Sequence, residues 1–225
     1  MRTLRLTIAM VVGAAPLGGL AAQDVAGRLA GRVPPAVQRA VVAVVADATT
    51  RGLPVEPLIQ KAIEGGAKGV PADRITAAVR TLAGRLGEAR DVLRAKGEPV
   101  PSADLVEGGA EALGAGLDAG QVRDLVRASH PPYEPALTLR VAATLAAIGV
   151  PAPQAVGLLE AMIAAGRDPA DLVGLPGQVL AGVDRGATPS QAAGGLGRGG
   201  GGSPPGRAPD WVPPGKRRPP NPHKP

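Results

Sequence analysis

Residues Glu64 to Arg80 read EGGAKGVPADRITAAVR. Glycines surround a lysine, and a helical pattern follows, so the stretch is either a phosphate-cradling loop or a corner between two helices. A P-loop needs G-x-x-x-x-G-K-[ST] between a strand and a helix. Here Ala67 precedes Lys68, no Ser or Thr follows it, and Pro71 removes an amide that would point at the phosphate. The GAKG segment also matches the spacing of a GXXG loop, but that module needs neighbouring strands, and no strand pattern lies nearby. A corner accounts for more of the residues. Lys68 stands four residues after Glu64 near a helix C-terminus, where a cation is favoured. Gly69 ends that helix, and Pro71 with Asp73 opens the next.

The same punctuation recurs in both directions along the chain. RGLPVEP (Arg51–Pro57) and IGVPAPQ (Ile148–Gln154) repeat the glycine followed by a proline. AGRDPADL (Ala165–Leu172) and RGATPSQ (Arg185–Gln191) extend it, with Asp168 and Thr188 as N-caps before Pro169 and Pro189. Thr188 with Gln191, and Asp118 with Gln121, have capping-box spacing. Between the corners the apolar residues follow a helical period. Val55, Leu58, Ile59, Ala62 and Ile63 form one stripe, and Ile75, Val79, Leu82, Leu86 and Leu93 another. Leu137, Val141, Leu145 and Ile148 form a third, and Val156, Leu159 and Ile163 a fourth. AVVAVVA (Ala40–Ala46) is rich in β-branched residues, yet Val37, Val41, Val44 and Ala48 make one helical stripe, so it reads as helix.

Many corners of one design predict an all-α fold: short antiparallel helices in a helical-repeat (solenoid-like) or bundle arrangement, followed by a disordered tail. Internal matches point to the repeat. EGGAKG at Glu64 resembles EGGAEALGAG at Glu107, each read as ending a helix. GVPADRI at Gly69 resembles GLDAGQV at Gly116, and PADRI at Pro71 resembles PADLV at Pro169. One helix plus one turn spans the 17 residues from Gly52 to Gly69 and from Gly149 to Gly166. No named repeat signature accompanies these matches.

The chain divides into three parts. Residues 1–22 have the form of a secretory signal: Arg2 and Arg5, then the apolar run Leu6–Val12, then small residues before Gln23. That run falls short of the ~20 residues a spanning helix needs. The expected location is therefore outside the cytoplasm, periplasmic or extracellular, with no transmembrane span after cleavage. Residues 23–194 form the helical domain. Residues 195–225 are dominated by Gly and Pro and read as a disordered basic tail. The net charge of +6 belongs to the ends. Residues 24–195 hold 17 Lys/Arg against 18 Asp/Glu, whereas residues 196–225 hold six against one.

Composition also narrows the chemistry. There is no Cys, so disulfides, thiolate metal sites and thiol nucleophiles are excluded. With no Phe, one Trp and one Tyr, the core must be built from Leu, Val, Ile and Ala. One loop gathers reactive residues: ASHPPYEP (Ala128–Pro135) holds His130, Tyr133 and Glu134. As a site, His130 would be a base or ligand and Glu134 its partner. The only other histidine, His223, is in the tail, which is too few for a metal centre. The loop reads better as a connection in which Tyr133 packs its ring. Glu107 and Glu111 read as a solvated helix face.

The functional expectation is an exported, non-enzymatic helical-repeat protein that serves as an interaction module in the cell envelope, with a protein as its partner. Neither cofactor nor metal is expected. Lys216, Arg217 and Arg218 in the tail suit a weak contact with an anionic envelope surface. Nucleic acid is not an expected partner, because export and the scarcity of aromatics argue against it. The alternative is a small envelope enzyme or ligand-binding protein with a site around His130 to Glu134.

Overall fold

The computed structural model describes residues 18–94 and 100–198. The signal segment up to Leu17, the tail from Gly199, and with it Lys216, Arg217, Arg218 and Trp211, lie outside the described residues. Ten helices and no strand occur among the described residues. They are α1 (Gly18–Leu29), α2 (Pro35–Thr50), α3 (Glu56–Ala67), α4 (Ala72–Leu93), α5 (Ala103–Gly114), α6 (Ala119–Ala128), α7 (Pro135–Ile148), α8 (Ala152–Ala164), α9 (Pro169–Asp184) and α10 (Pro189–Arg198). The valine-rich run is helical, as its stripe predicts, and lies within α2.

The corners are the most regular feature. In each of six, at Gly52, Gly69, Gly116, Gly149, Gly166 and Gly186, the glycine has positive φ. Its N–H donates to the carbonyl three residues back, at 2.8–3.1 Å. The next residue's N–H donates to the carbonyl five back, at 2.9–3.2 Å. This pair of bonds satisfies carbonyls that the end of a helix leaves without partners. In five of the six the N-cap stands two residues after the glycine, as Pro71, Asp118, Pro151, Asp168 or Thr188; after Gly52 it is Val55, three residues on. Asp118 with Gln121 closes a reciprocal capping box, as does Thr188 with Gln191. Six residues after the glycine comes a buried apolar residue: Leu58, Ile75, Val122, Ala155 and Leu172 in five of the six. GVPADRI and GLDAGQV thus occupy structurally equivalent positions, whereas PADLV is displaced by one residue, since Pro169 follows the N-cap Asp168 and Pro71 is itself the N-cap.

Gly69, at φ +64°, decides the opening question. It is a corner, and Lys68 pairs with Glu64 one turn back, on an exposed surface. A Cβ on Gly69 meets nothing within 4 Å, so Gly69→Ala carries only a conformational cost. We expect about 1 kcal/mol of lost stability in urea unfolding. Lys68→Ala should cost less, and ATP should shift the midpoint of neither variant.

The EGGAKG match does not superpose either. Gly65 and Gly66 lie in the last turn of α3, but Gly108 and Gly109 lie in the middle of α5, a turn further from their corner. Both glycine pairs serve close helix approach instead. A Cβ on Gly66 would lie 2.1 Å from the Arg32 carbonyl oxygen, and one on Gly108 would lie 2.8 Å from that of Ala136.

Every substantial helix–helix contact joins helices one or two places apart in the chain. Helix α5 packs most extensively on α4 and α7, and α7 in turn on α9. Contacts that propagate only to near neighbours are compatible with a stacked helical repeat and with a bundle of consecutive helices. The apolar core follows the stack. One cluster runs from Val25 to Ala110 and a second from Ala112 to Ala193, with Leu93 and Leu113 touching both. At the N-terminal end, Arg28 of α1 grips Glu56 of α3 through two bonds of 2.8 and 2.6 Å. The Arg28 guanidinium holds the Glu56 carboxyl down at about 2.

The stripe read through Leu137 needs correction. Leu137 is 40% exposed, while Ala136, Thr138, Leu139, Ala142 and Ala143 are buried beside Val141 and Leu145. Helix α7 has neighbours on most sides (α5, α6, α8 and α9), so it has no single apolar face. At the C-terminal end α10 continues to Arg198, and Leu196 packs on the core.

Candidate functional site

The loop from Ser129 to Glu134 joins α6 to α7. Ser129 ends α6, and its buried hydroxyl donates to the Leu125 carbonyl at 2.7 Å. His130 is exposed, and its Nδ1 donates to the Ala128 carbonyl at 2.7 Å. Tyr133 is buried in the C-terminal cluster, its ring edge-on to His130 with centroids 6.2 Å apart. Its hydroxyl donates to the carbonyl of Arg167 at 2.6 Å, in the α8–α9 corner. Glu134 is the exposed N-cap of α7, where its backbone carbonyl accepts from Thr138. The cleft beside Tyr133 and Glu134 measures about 10 Å³, at most the room for one water molecule.

The three residues therefore share a loop but do not converge on a pocket. The Tyr133 hydroxyl acts as a strut between the α6–α7 loop and the α8–α9 corner. Tyr133→Phe should cost about 1 kcal/mol, because the Arg167 carbonyl loses its donor. His130→Ala should stay within about 0.5 kcal/mol. Equal losses, measured by thermal unfolding, would show that the hydroxyl does not tie these elements together. Among the described residues no group of three or more His, Asp or Glu is placed to hold a metal ion. No helix among them is long and apolar enough to cross a membrane.

A larger concavity lies elsewhere. A groove of about 780 Å³ crosses four successive members of the stack, α3, α4, α5 and α7. Its lining is mostly small: Ala78, Thr81, Ala110, Gly114, Ala143, Thr144 and Ala147, with Leu82 and Pro57. Small side chains at these positions keep the floor low, which leaves room for side chains from outside. Three charged residues, Lys61, Arg85 and Glu111, also line it.

Next to the groove, Arg140 of α7 reaches across to α5. It bonds Asp104 at 2.6 Å and lies 3.9 Å from Glu107 and 3.6 Å from Glu111. The carboxylates read as a solvated face therefore form part of a helix–helix contact. Burial pushes the Glu107 carboxyl above its usual range, with Arg140 pulling the other way. Sequence reasoning missed Arg140, although it left a signal. It is the only charged residue in α7. The groove left none, because its residues come from four helices, a few positions from each.

No family model matches the chain, and no curated protein or solved structure does so either.

Proposed function

We propose that the chain is an exported, non-enzymatic helical-repeat protein that binds another protein in the groove across α3, α4, α5 and α7. The groove itself carries the reading: it is long, lined by small residues, and built from successive units of the stack. Stacked helices commonly present extended binding surfaces of this kind. Reading the chain as a binding module also fits the loop residues, whose hydrogen bonds serve the fold. Export is supported by the pattern of residues 1–22. A chain starting at Gln23 or Asp24 keeps the buried Val25 and Leu29 of α1. The basic tail, with Lys216, Arg217 and Arg218, adds a salt-sensitive contact to an anionic envelope surface.

Thr81 and Ala147 line the groove and are exposed, so bulk there should block it without disturbing the core. Affinity capture from cell envelope with the wild-type protein should yield a partner that Thr81→Trp and Ala147→Trp lose, while all three proteins melt alike. Equal recovery by the variants would overturn the groove as the binding surface. Intact mass of the protein from whole cells should start between Ala22 and Asp24; a full-length species confined to the cytoplasm would overturn export.

A further inference from the structure

Another concavity lies away from the groove, where the end of α4, the start of α5 and the C-terminal half of α6 meet. It measures about 620 Å³, a size typical of sites that take small molecules. Its walls are apolar: Val92 and Leu93 of α4, Val100 just before α5, Leu105 of α5 and Val126 of α6. Val100 is 75% exposed, the most exposed large apolar side chain among the described residues. Residues 95–99 lie outside the described residues and are no part of the site.

The rim is cationic. Arg94, Arg123 and Arg127 line it together with a single carboxylate, Asp91. Asp91 is bonded to Arg90 at 2.8 Å, and Arg127 to Asp124 at 2.9 Å. Asp104, in the first turn of α5, is held by Arg140 of α7. Arg90, Arg94, Arg123 and Arg127 thus stand against Asp91 and Asp124, and Lys96 with Glu98 in the intervening sequence adds no net charge. The ends of α4, α5 and α6 carry about half a charge each and of mixed sign, too little to reverse this excess. Arg123 is the best placed of the four. Its Nε donates to the Val92 carbonyl at 3.2 Å, which ties the guanidinium to the end of α4. Its two Nη groups make no hydrogen bond or ion pair among the described residues, so a fork of donors is left over. A carboxylate fits such a fork with two parallel bonds. A neutral apolar ligand would cover the fork without giving it an acceptor, which is costly. A small inorganic anion would leave the valine and leucine walls in water.

We propose that this cavity binds a single-chain amphiphile with a carboxylate head, the head on Arg123 and the alkyl chain along Val92, Leu105 and Val126. The site is separate from the groove and does not depend on it. Isothermal titration of the mature protein, freed of bound lipid, with dodecanoate should show one site per chain. Dodecanol, the same chain without the charge, should bind roughly tenfold to a hundredfold more weakly, the range expected for hydrogen bonds to a charged group. Acetate, the head without the chain, should give no heat. Arg123→Ala should weaken dodecanoate by a similar factor and leave dodecanol unchanged, a difference that a merely structural role for Arg123 would not produce. Val100→Glu, at an exposed position, should weaken dodecanoate by setting a like charge at the rim, while its melting temperature stays that of wild type. Dihexanoyl phosphatidylglycerol, a soluble phosphodiester on two chains, should bind more weakly than dodecanoate; equal or tighter binding would assign the site to a membrane lipid and overturn the carboxylate. Thr81→Trp and Ala147→Trp should bind dodecanoate as wild type does, and a loss there would move the ligand into the groove and overturn the site. Equal affinity for dodecanoate and dodecanol, dodecanoate binding unchanged in both Arg123→Ala and Val100→Glu, or no binding at all would each overturn the proposal.

Discussion

Gly66→Ala should cost about 3 kcal/mol of stability, while Gly84→Ala should add roughly 0.5–1 kcal/mol. Both glycines are helical, and the substitution is chemically identical, so the contrast isolates what surrounds each one. Gly84 lies on the exposed side of α4, where a Cβ meets nothing within 4 Å. There alanine only reduces the freedom of the unfolded chain and improves helix propensity. At Gly66 a Cβ would sit 2.1 Å from the Arg32 carbonyl oxygen and 2.9 Å from a methyl of Val33. The carbonyl is backbone and cannot swing away as a side-chain tip would. Relief requires the α1–α2 loop to retreat from α3. That retreat would pull on Leu29 and Val33, both buried in the N-terminal cluster. Urea unfolding followed by far-UV circular dichroism measures the difference. A Gly66→Ala variant within about 0.5 kcal/mol of wild type would mean that α3 and the loop are not held together there.

The two glycine roles explain how far the sequence could be read. A corner glycine announces itself, because the helix stop, the N-cap and the following apolar residue all lie within seven residues of chain. Gly69, Asp118–Gln121 and Asp168 were legible for that reason. A contact glycine such as Gly66 or Gly108 is decided by a partner tens of residues away, Arg32 or Ala136. Nothing local separates it from a corner, which is why the EGGA match misled. Periodicity succeeded on α3, α4 and α8, each with a clear buried side. It failed on α7, where burial on nearly all sides leaves no face for a period to mark, and Leu137 was placed inside. At the candidate site, composition drew attention to His130, Tyr133 and Glu134 because they are rare residue types in this chain. Rarity marked Tyr133 correctly as an unusual residue but said nothing of its role as a strut. The groove was invisible, because a surface assembled from single turns of four helices has no one-dimensional pattern.

Leu139→Ala should cost about 3–4 kcal/mol, because Leu139, like Leu145, is fully buried in the helix that joins α5, α6, α8 and α9. Leu137→Ala, two residues earlier, should cost under about 1 kcal/mol, since that side chain already meets solvent. The pair tests the corrected face of α7 directly: comparable losses would restore the stripe through Leu137. The same variant tests the organisation of the stack. In a repeat array, stability is approximately a sum of units and their nearest-neighbour interfaces, so damage is felt most where it is made. The core divides within α5, between Ala110 and Ala112, with Leu93 and Leu113 as the bridge. Amide hydrogen exchange on Leu139→Ala should therefore show large losses of protection in α7, α8 and α9. Amides of α2 around Val41 and Val45, in the other cluster, should lose much less. A uniform loss along the whole chain would mean that the bridge couples the halves into one cooperative unit. In that case the stack would act as a single body, and the groove, which draws α3 and α4 from one cluster and α7 from the other, would form and melt as one surface.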